Sequence, residues 1–122
     1  MPRLVLCSSA ARALQTAELV LPALGDEVTL EVERDLYEAR PGDVVERIRR
    51  VEHDVSSVMV VGHNPTFADL VSSMVSEADA SGRRRLEDFP TCALAQIVVQ
   101  IPAWAQLELA TGRLEELFVP ER

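Results

Sequence analysis

The chain has 122 residues, 48% of them hydrophobic, and a formal net charge of −8; this is enough for one domain with one core, and the acidic balance argues against nucleic acid as the main partner, because holding a phosphate backbone draws on clustered Lys and Arg. No apolar run approaches the ~20 residues of a membrane span and no basic-apolar leader opens the chain, so a soluble, cytoplasmic protein with no membrane partner is expected. Two cysteines, Cys7 and Cys92, have neither metal-ligand spacing nor the number for a disulfide framework, and read as reduced, buried thiols.

The elements alternate strand and helix, which predicts a mostly parallel sheet covered on both faces. The first strand spans residues 4 to 7, followed by a helix over 10 to 21 that Pro22 stops and a strand over 28 to 32. A helix over 42 to 51 gathers Val44, Val45, Ile48 and Val51 on one face. The strand over 57 to 61 leads into a helix from Pro65 whose buried stripe is Phe67, Leu70, Val71, Met74 and Val75. Residues 76 to 90 are polar, with Gly82 and the run Arg83-Arg84-Arg85, and predict a loop containing a short helix. Final strands near 92 to 101 and 114 to 119 are joined through Pro102, Trp104 and Gly112, with no internal repeat and no second domain.

Two strand-to-helix turns carry the chemistry. In Val58-Met59-Val60-Val61-Gly62-His63-Asn64-Pro65 an apolar strand ends on a histidine, and Asn64 and Pro65 form an N-cap and first-turn pair. Free N–H groups at such a helix start make a ready anion site beside His63. In Leu4-Val5-Leu6-Cys7 followed by Ser8-Ser9-Ala10-Ala11-Arg12, serine caps open a helix with Arg12 in its first turn. On neighbouring parallel strands the two turns would bring an arginine and a histidine together at the C-terminal edge, where open α/β sheets bind ligands.

SSAARALQTAE resembles the Ser-Pro-x-x-Arg-Ala-x-Gln-Thr block of the histidine phosphatase (phosphoglycerate mutase-like) superfamily, and VGHNP resembles its second histidine motif. LYEARPGDVVERI, the FPTCALA block beginning at Phe89, and LEELFVP with the preceding Trp104 are similar to SixA-type phosphohistidine phosphatases. The matches run in order from Leu4 to Pro120, and Ser9 stands where many relatives have proline. The resemblance implies a three-layer α/β/α phosphoglycerate mutase-like fold with a mostly parallel sheet and one antiparallel strand. It also implies dephosphorylation of a protein phosphohistidine through a phosphoenzyme, with no metal or organic cofactor.

One family feature has no counterpart in these residues. Family members begin with a strand ending in Arg-His-Gly, whose histidine is the nucleophile, and this sequence starts at the family's second strand. The piece without a match amounts to about 40 residues, a strand, a helix and their connections. Neither His53 nor His63 stands between Arg and Gly. The expectation is one N-terminally truncated domain over 1 to 122 that is inactive by itself, its sheet open between the 57 to 61 strand and the antiparallel one. Direct pairing of the flanking strands, a strand from another copy, or poor stability would each answer that gap, and a homodimer covering it is favoured.

The remaining groups can still stabilise a phosphoryl group. Arg12 offers a planar fork to two equatorial oxygens; by resemblance His63 bonds the same group, and the N–H groups after Asn64 add partial positive charge. Ser8 matches the family serine and equally fits a plain helix cap. Glu38 is placed like the general acid that protonates an alkoxide in some superfamily members, or is simply a loop carboxylate; imidazole leaves without a strong acid. The arginines at 83 to 85 are a solvated face or an electrostatic guide for a phosphorylated protein, while His53 complements a helix C-terminus and Trp104 and Phe89 serve packing. Two functional readings follow: a phosphohistidine phosphatase domain, and a non-catalytic phosphate or phosphoprotein binding module using the same Arg12 and His63. A truncated product without independent function is a third outcome.

Overall fold

The computed structural model describes residues 2–37, 39–62, 66–76, 78–85 and 94–118, with the backbone alone at Thr66, Arg83, Arg85, Leu94, Ala95 and Phe118. Three parallel strands form the first sheet: β1 (Leu4–Ser8), β2 (Thr29–Glu33) and β3 (Val58–Val61), in the order β2-β1-β3. Leu6 lies opposite Glu31 on one side and Val60 on the other, so β1 is the central strand, and its residues from Val5 to Ser8 are buried.

Alternation along β1 builds the layers. Val5 and Cys7 face α1 (Ala11–Leu24), where Ala13 and Ala17 let the helix approach closely. Leu6 faces the opposite way, into a cluster with Val44 and Val45 of α2 (Pro41–Arg49) and Leu70 and Met74 of α3 (Thr66–Met74). The result is helix on both sides of a parallel sheet, the expected α/β/α arrangement. Trp104, in a short 3-10 turn at Trp104–Gln106, packs on this second layer and donates its indole N–H to the Val55 carbonyl at 2.5 Å.

The last strands, β4 (Leu94–Val98) and β5 (Arg113–Phe118), pair antiparallel in a sheet of their own, with a register shift at Gln96/Ile97. Ser76 donates to the Gly112 carbonyl and Gly112 to the Met74 carbonyl, both at 2.7 Å, which ties the start of β5 to the end of α3. The expected short helix in the polar stretch is α4 (Ala80–Arg85). Asp79 anchors it, accepting from the Gly82 N–H with Oδ1 and from the Leu114 N–H with Oδ2, both at 3.0 Å.

Two local expectations are corrected. Pro22 does not stop α1, which continues to Leu24 and ends at Gly25, φ 90°. The carbonyl of Glu18 that loses its amide partner to proline is on an exposed residue, where water can take the bond, while Leu21 and Leu24 pack the last turn onto the sheet. Nor are the serines the cap of α1: the N-cap is Ala10, without a side-chain bond. Ser8 Oγ instead accepts the Ala10 N–H at 3.2 Å, closing a turn just ahead of the helix.

Candidate active site

The central strand delivers the first half of the site. Ser8 is fully buried at the C-terminal end of β1, and its bond to Ala10 fixes the turn from which α1 departs. Arg12 follows in the first turn of α1 and is exposed, and its side chain makes no ion pair or hydrogen bond among the described residues. Cys7, the residue before Ser8, has no access to solvent, and burial pushes its thiol up from the ordinary range. It is an inert packing group at neutral pH.

β3 delivers the second half. Val61 lies in register with Cys7, so Gly62 leaves the sheet at the same edge as Ser8, and α3 begins at Thr66 on the opposite face from α1. Gly62 is needed for space: a Cβ there would fall within the ring of Phe67. The structure thus brings the two strand-to-helix turns to one edge of adjacent parallel strands. His63 and Asn64, which the sequence assigns to this turn, lie outside the described residues, as does Glu38.

The segment leading to Glu38 is fixed on either side. Leu36 and Ala39 are buried, and Tyr37 is exposed. A feature not foreseen from the sequence holds the strand behind this segment. Arg47 of α2, with its side chain 11% exposed, donates from Nε to Glu33 Oε1 at 2.7 Å and from Nη2 to Glu31 Oε2 at 2.5 Å. Its signal was present: Glu31 and Glu33 alternate onto one face of a strand, and Arg47 interrupts the apolar stripe of α2. Of the other expectations, Cys7 is buried and free, His53 is exposed, and Trp104 packs; Phe89 and Cys92 lie outside the described residues. Among the described residues no group of three or more His, Cys, Asp or Glu side chains could hold a metal ion, and no helix is long and apolar enough to cross a membrane.

No family model matches the chain. An uncharacterized protein of Mycobacterium tuberculosis is 39% identical over 119 residues, covering 95% of this chain and 72% of that protein. An uncharacterized protein of Mycobacterium leprae is 30% identical over 118 residues, covering 95% of this chain and 70% of its own length. Among solved structures, a Nakamurella multipartitia protein assigned as a phosphohistidine phosphatase SixA superposes with a TM-score of 0.81 at 28% identity, over 98% of this chain and 71% of that one. One from Agrobacterium tumefaciens with the same assignment gives 0.78 at 29% identity, over 98% and 69%. Overlap across nearly the whole chain, with both strand-to-helix turns at one sheet edge, settles the relationship: the chain belongs to the SixA-type family of the histidine phosphatase, or phosphoglycerate mutase-like, superfamily.

Proposed function

We propose that the chain binds the phosphoryl group of a protein phosphohistidine at the C-terminal edge of its parallel sheet, as the phosphate-holding part of a phosphohistidine phosphatase. The observation that carries this reading is the pair of turns on adjacent strands β1 and β3, one bearing Ser8 and Arg12 and the other opening at Gly62 immediately before His63 and Asn64. Arg12 makes no ion pair among the described residues, and its fork suits two equatorial oxygens. His63 and the amides after Asn64 supply donors from the second turn.

In the reaction a nitrogen–phosphorus bond forms to an attacking imidazole as the one to the substrate histidine breaks, and the departing imidazole takes up a proton. Water then displaces the enzyme imidazole and releases phosphate. The phosphoryl charge rests on Arg12 and His63 throughout. Glu38 would supply a proton where the leaving group is an alkoxide. No step calls on a metal or an organic cofactor.

A polypeptide of these 122 residues holds His53 and His63 and no Arg-His-Gly. We therefore propose that it forms no phosphoenzyme alone, and that a strand carrying the nucleophile seats between β3 and β4. Among the described residues β3 pairs only with β1 and β4 only with β5, and Val58, Met59 and Val60 are half-buried where β1 is enclosed. A second copy can cover those edges, which makes a homodimer the expected form of this polypeptide. A second reading is a non-catalytic phosphate or phosphoprotein binding module with the same residues.

Titration with inorganic phosphate, followed through the two histidine ring signals, tests the site. His63 should move and the exposed His53 should not; an unmoved His63 at millimolar phosphate overturns the phosphate site. Supplying an N-terminal strand and helix with Arg-His-Gly separates the two readings. Turnover then supports the phosphatase, and binding without turnover supports the module.

A further inference from the structure

Tyr37 is the single tyrosine of the chain. Of the aromatic side chains the structure describes it alone is exposed, at 53%, whereas Phe67 and Trp104 pack against the core. Its side chain makes no hydrogen bond among the described residues. The backbone beneath it is held on both sides. Leu36 and Ala39 are buried, and the Tyr37 N–H donates to the Arg34 carbonyl at 2.9 Å. The Arg40 N–H donates to Asp43 Oδ2 at 3.0 Å, and Arg47 ties Glu33, the last residue of β2, to α2. A ring on such a support loses little conformational freedom when it meets a ligand.

Strand register sets this segment at the edge that bears the phosphoryl site. Ser8 lies opposite Glu33 at the ends of β1 and β2, and a 3-10 turn at Arg34–Leu36 follows at once, lying against β1. Leu36 enters the cluster of Leu6, Leu70 and Met74, so the segment turns over the α3 face of the sheet, while Arg12 leaves in α1 on the other face. Neighbouring strands are about 5 Å apart. Arg12 and the Tyr37 segment therefore flank the end of β1 from opposite faces, and the ring belongs to the side where the residue bearing the phosphoryl group must lie.

We infer that Tyr37 is a specificity residue for the group that carries the phosphoryl, its ring packing on the imidazole of the phosphohistidine whose phosphoryl group Arg12 receives. The inference rests on the function proposed above. Bonded to phosphorus through nitrogen, the imidazole is a flat ring immediately outside the phosphoryl group, and an aromatic side chain meets such a ring offset-stacked or edge to face. Phosphoserine places a tetrahedral carbon there and no ring. Tyr37 thus favours phosphohistidine over phosphate esters and leaves affinity for phosphate alone unchanged.

The test compares two peptides of one sequence, one carrying a non-hydrolysable phosphonate-triazole analogue of phosphohistidine and one carrying phosphoserine, with inorganic phosphate as a third probe. The 122-residue chain should bind the analogue peptide about three- to tenfold more tightly than the phosphoserine peptide. Tyr37→Ala should abolish that preference and Tyr37→Phe, which keeps the ring, should retain it, both leaving phosphate affinity and thermal midpoint unchanged. Phosphate binding with equal affinity for the two peptides overturns the inference alone, as does a preference that survives Tyr37→Ala or is lost in Tyr37→Phe. Weaker binding of phosphate itself by Tyr37→Ala would likewise overturn a role confined to the imidazole. Absence of phosphate binding by the parent chain overturns the proposed function and this inference with it.

Discussion

The ring of Phe67 lies against the Cα of Gly62 and occupies the space that a side chain at residue 62 would require. The contact joins the end of β3 to the first turn of α3 across the turn that holds His63. The position of the ring explains why residue 62 is small.

Gly62→Ala should therefore cost stability, because the methyl overpacks a filled site; overpacking of this kind costs about 1–3 kcal/mol. Adding Phe67→Leu should recover part of the loss by removing the ring atoms the methyl meets. Urea denaturation of the single and double variants measures both effects. A Gly62→Ala chain as stable as the parent would refute the contact.

Arg47 offers a second test, since it is nearly enclosed and holds two carboxylates of β2. Arg47→Ala should lower stability by about 1–3 kcal/mol, as the removal of one partner leaves Glu33, 25% exposed, without its cation. Glu31 is 46% exposed and water compensates most of its share. Pairing it with Glu33→Gln should recover part of the loss in a double-mutant cycle, and strict additivity would show that the two side chains do not interact.

The strands, α2 and the apolar stripe of α3 were legible because each is set by a local period: four apolar residues at Val58 to Val61, or Val44, Val45, Ile48 and Val51 at helical spacing. Pro22 was misread because its exposed position and the packing of Leu21 and Leu24 decide the outcome, and neither is local. The Arg47 cluster joins residues 14 and 16 positions apart, and Asp35 lies 3.8 Å from Arg50. Such pairings arise from which face each element presents once folded. The order of the motifs carried the family, while burial of Ser8 and its bond to Ala10 required coordinates.

Arg12→Lys should weaken phosphate binding by about tenfold, because an ammonium cannot reproduce the two parallel bonds of a guanidinium. Arg12 is exposed and makes no ion pair or hydrogen bond with its side chain among the described residues, so the thermal midpoint should stay within experimental error of the parent. Isothermal titration with inorganic phosphate gives the first quantity and a thermal melt the second. Equal phosphate affinity in the two proteins would remove Arg12 from the site.

Cys7 sets a pH dependence. Its thiol is pushed up by burial, so the folded state favours the protonated form. The stability this contributes is fully present below the pKa of an unfolded thiol and is lost as pH rises through the higher folded value. Stability should fall through the alkaline range, and Cys7→Ala should flatten that part of the profile, at the cost of a small cavity. Alkylation of Cys7 under native conditions should be slow and limited by opening of the β1 layer. Rapid modification at neutral pH would contradict its enclosure.

The edges of β3 and β4 that pair with no strand among the described residues set the final expectation. Backbone N–H and C=O groups at a strand edge need partners when apolar surface around them is withdrawn from water, and Val58 to Val60 present such surface. A symmetric pair of chains covers both edges at once. Light scattering on the 122-residue chain at micromolar concentration should give a dimer, and hydrogen exchange at the β3 and β4 amides facing those edges should slow as concentration rises. Supplying the Arg-His-Gly strand should dissociate the dimer, protect the same amides at all concentrations and raise the thermal midpoint. A monomer whose β3 and β4 amides are already protected would mean that the two strands bond to each other, closing the slot and leaving the nucleophile no place in the sheet.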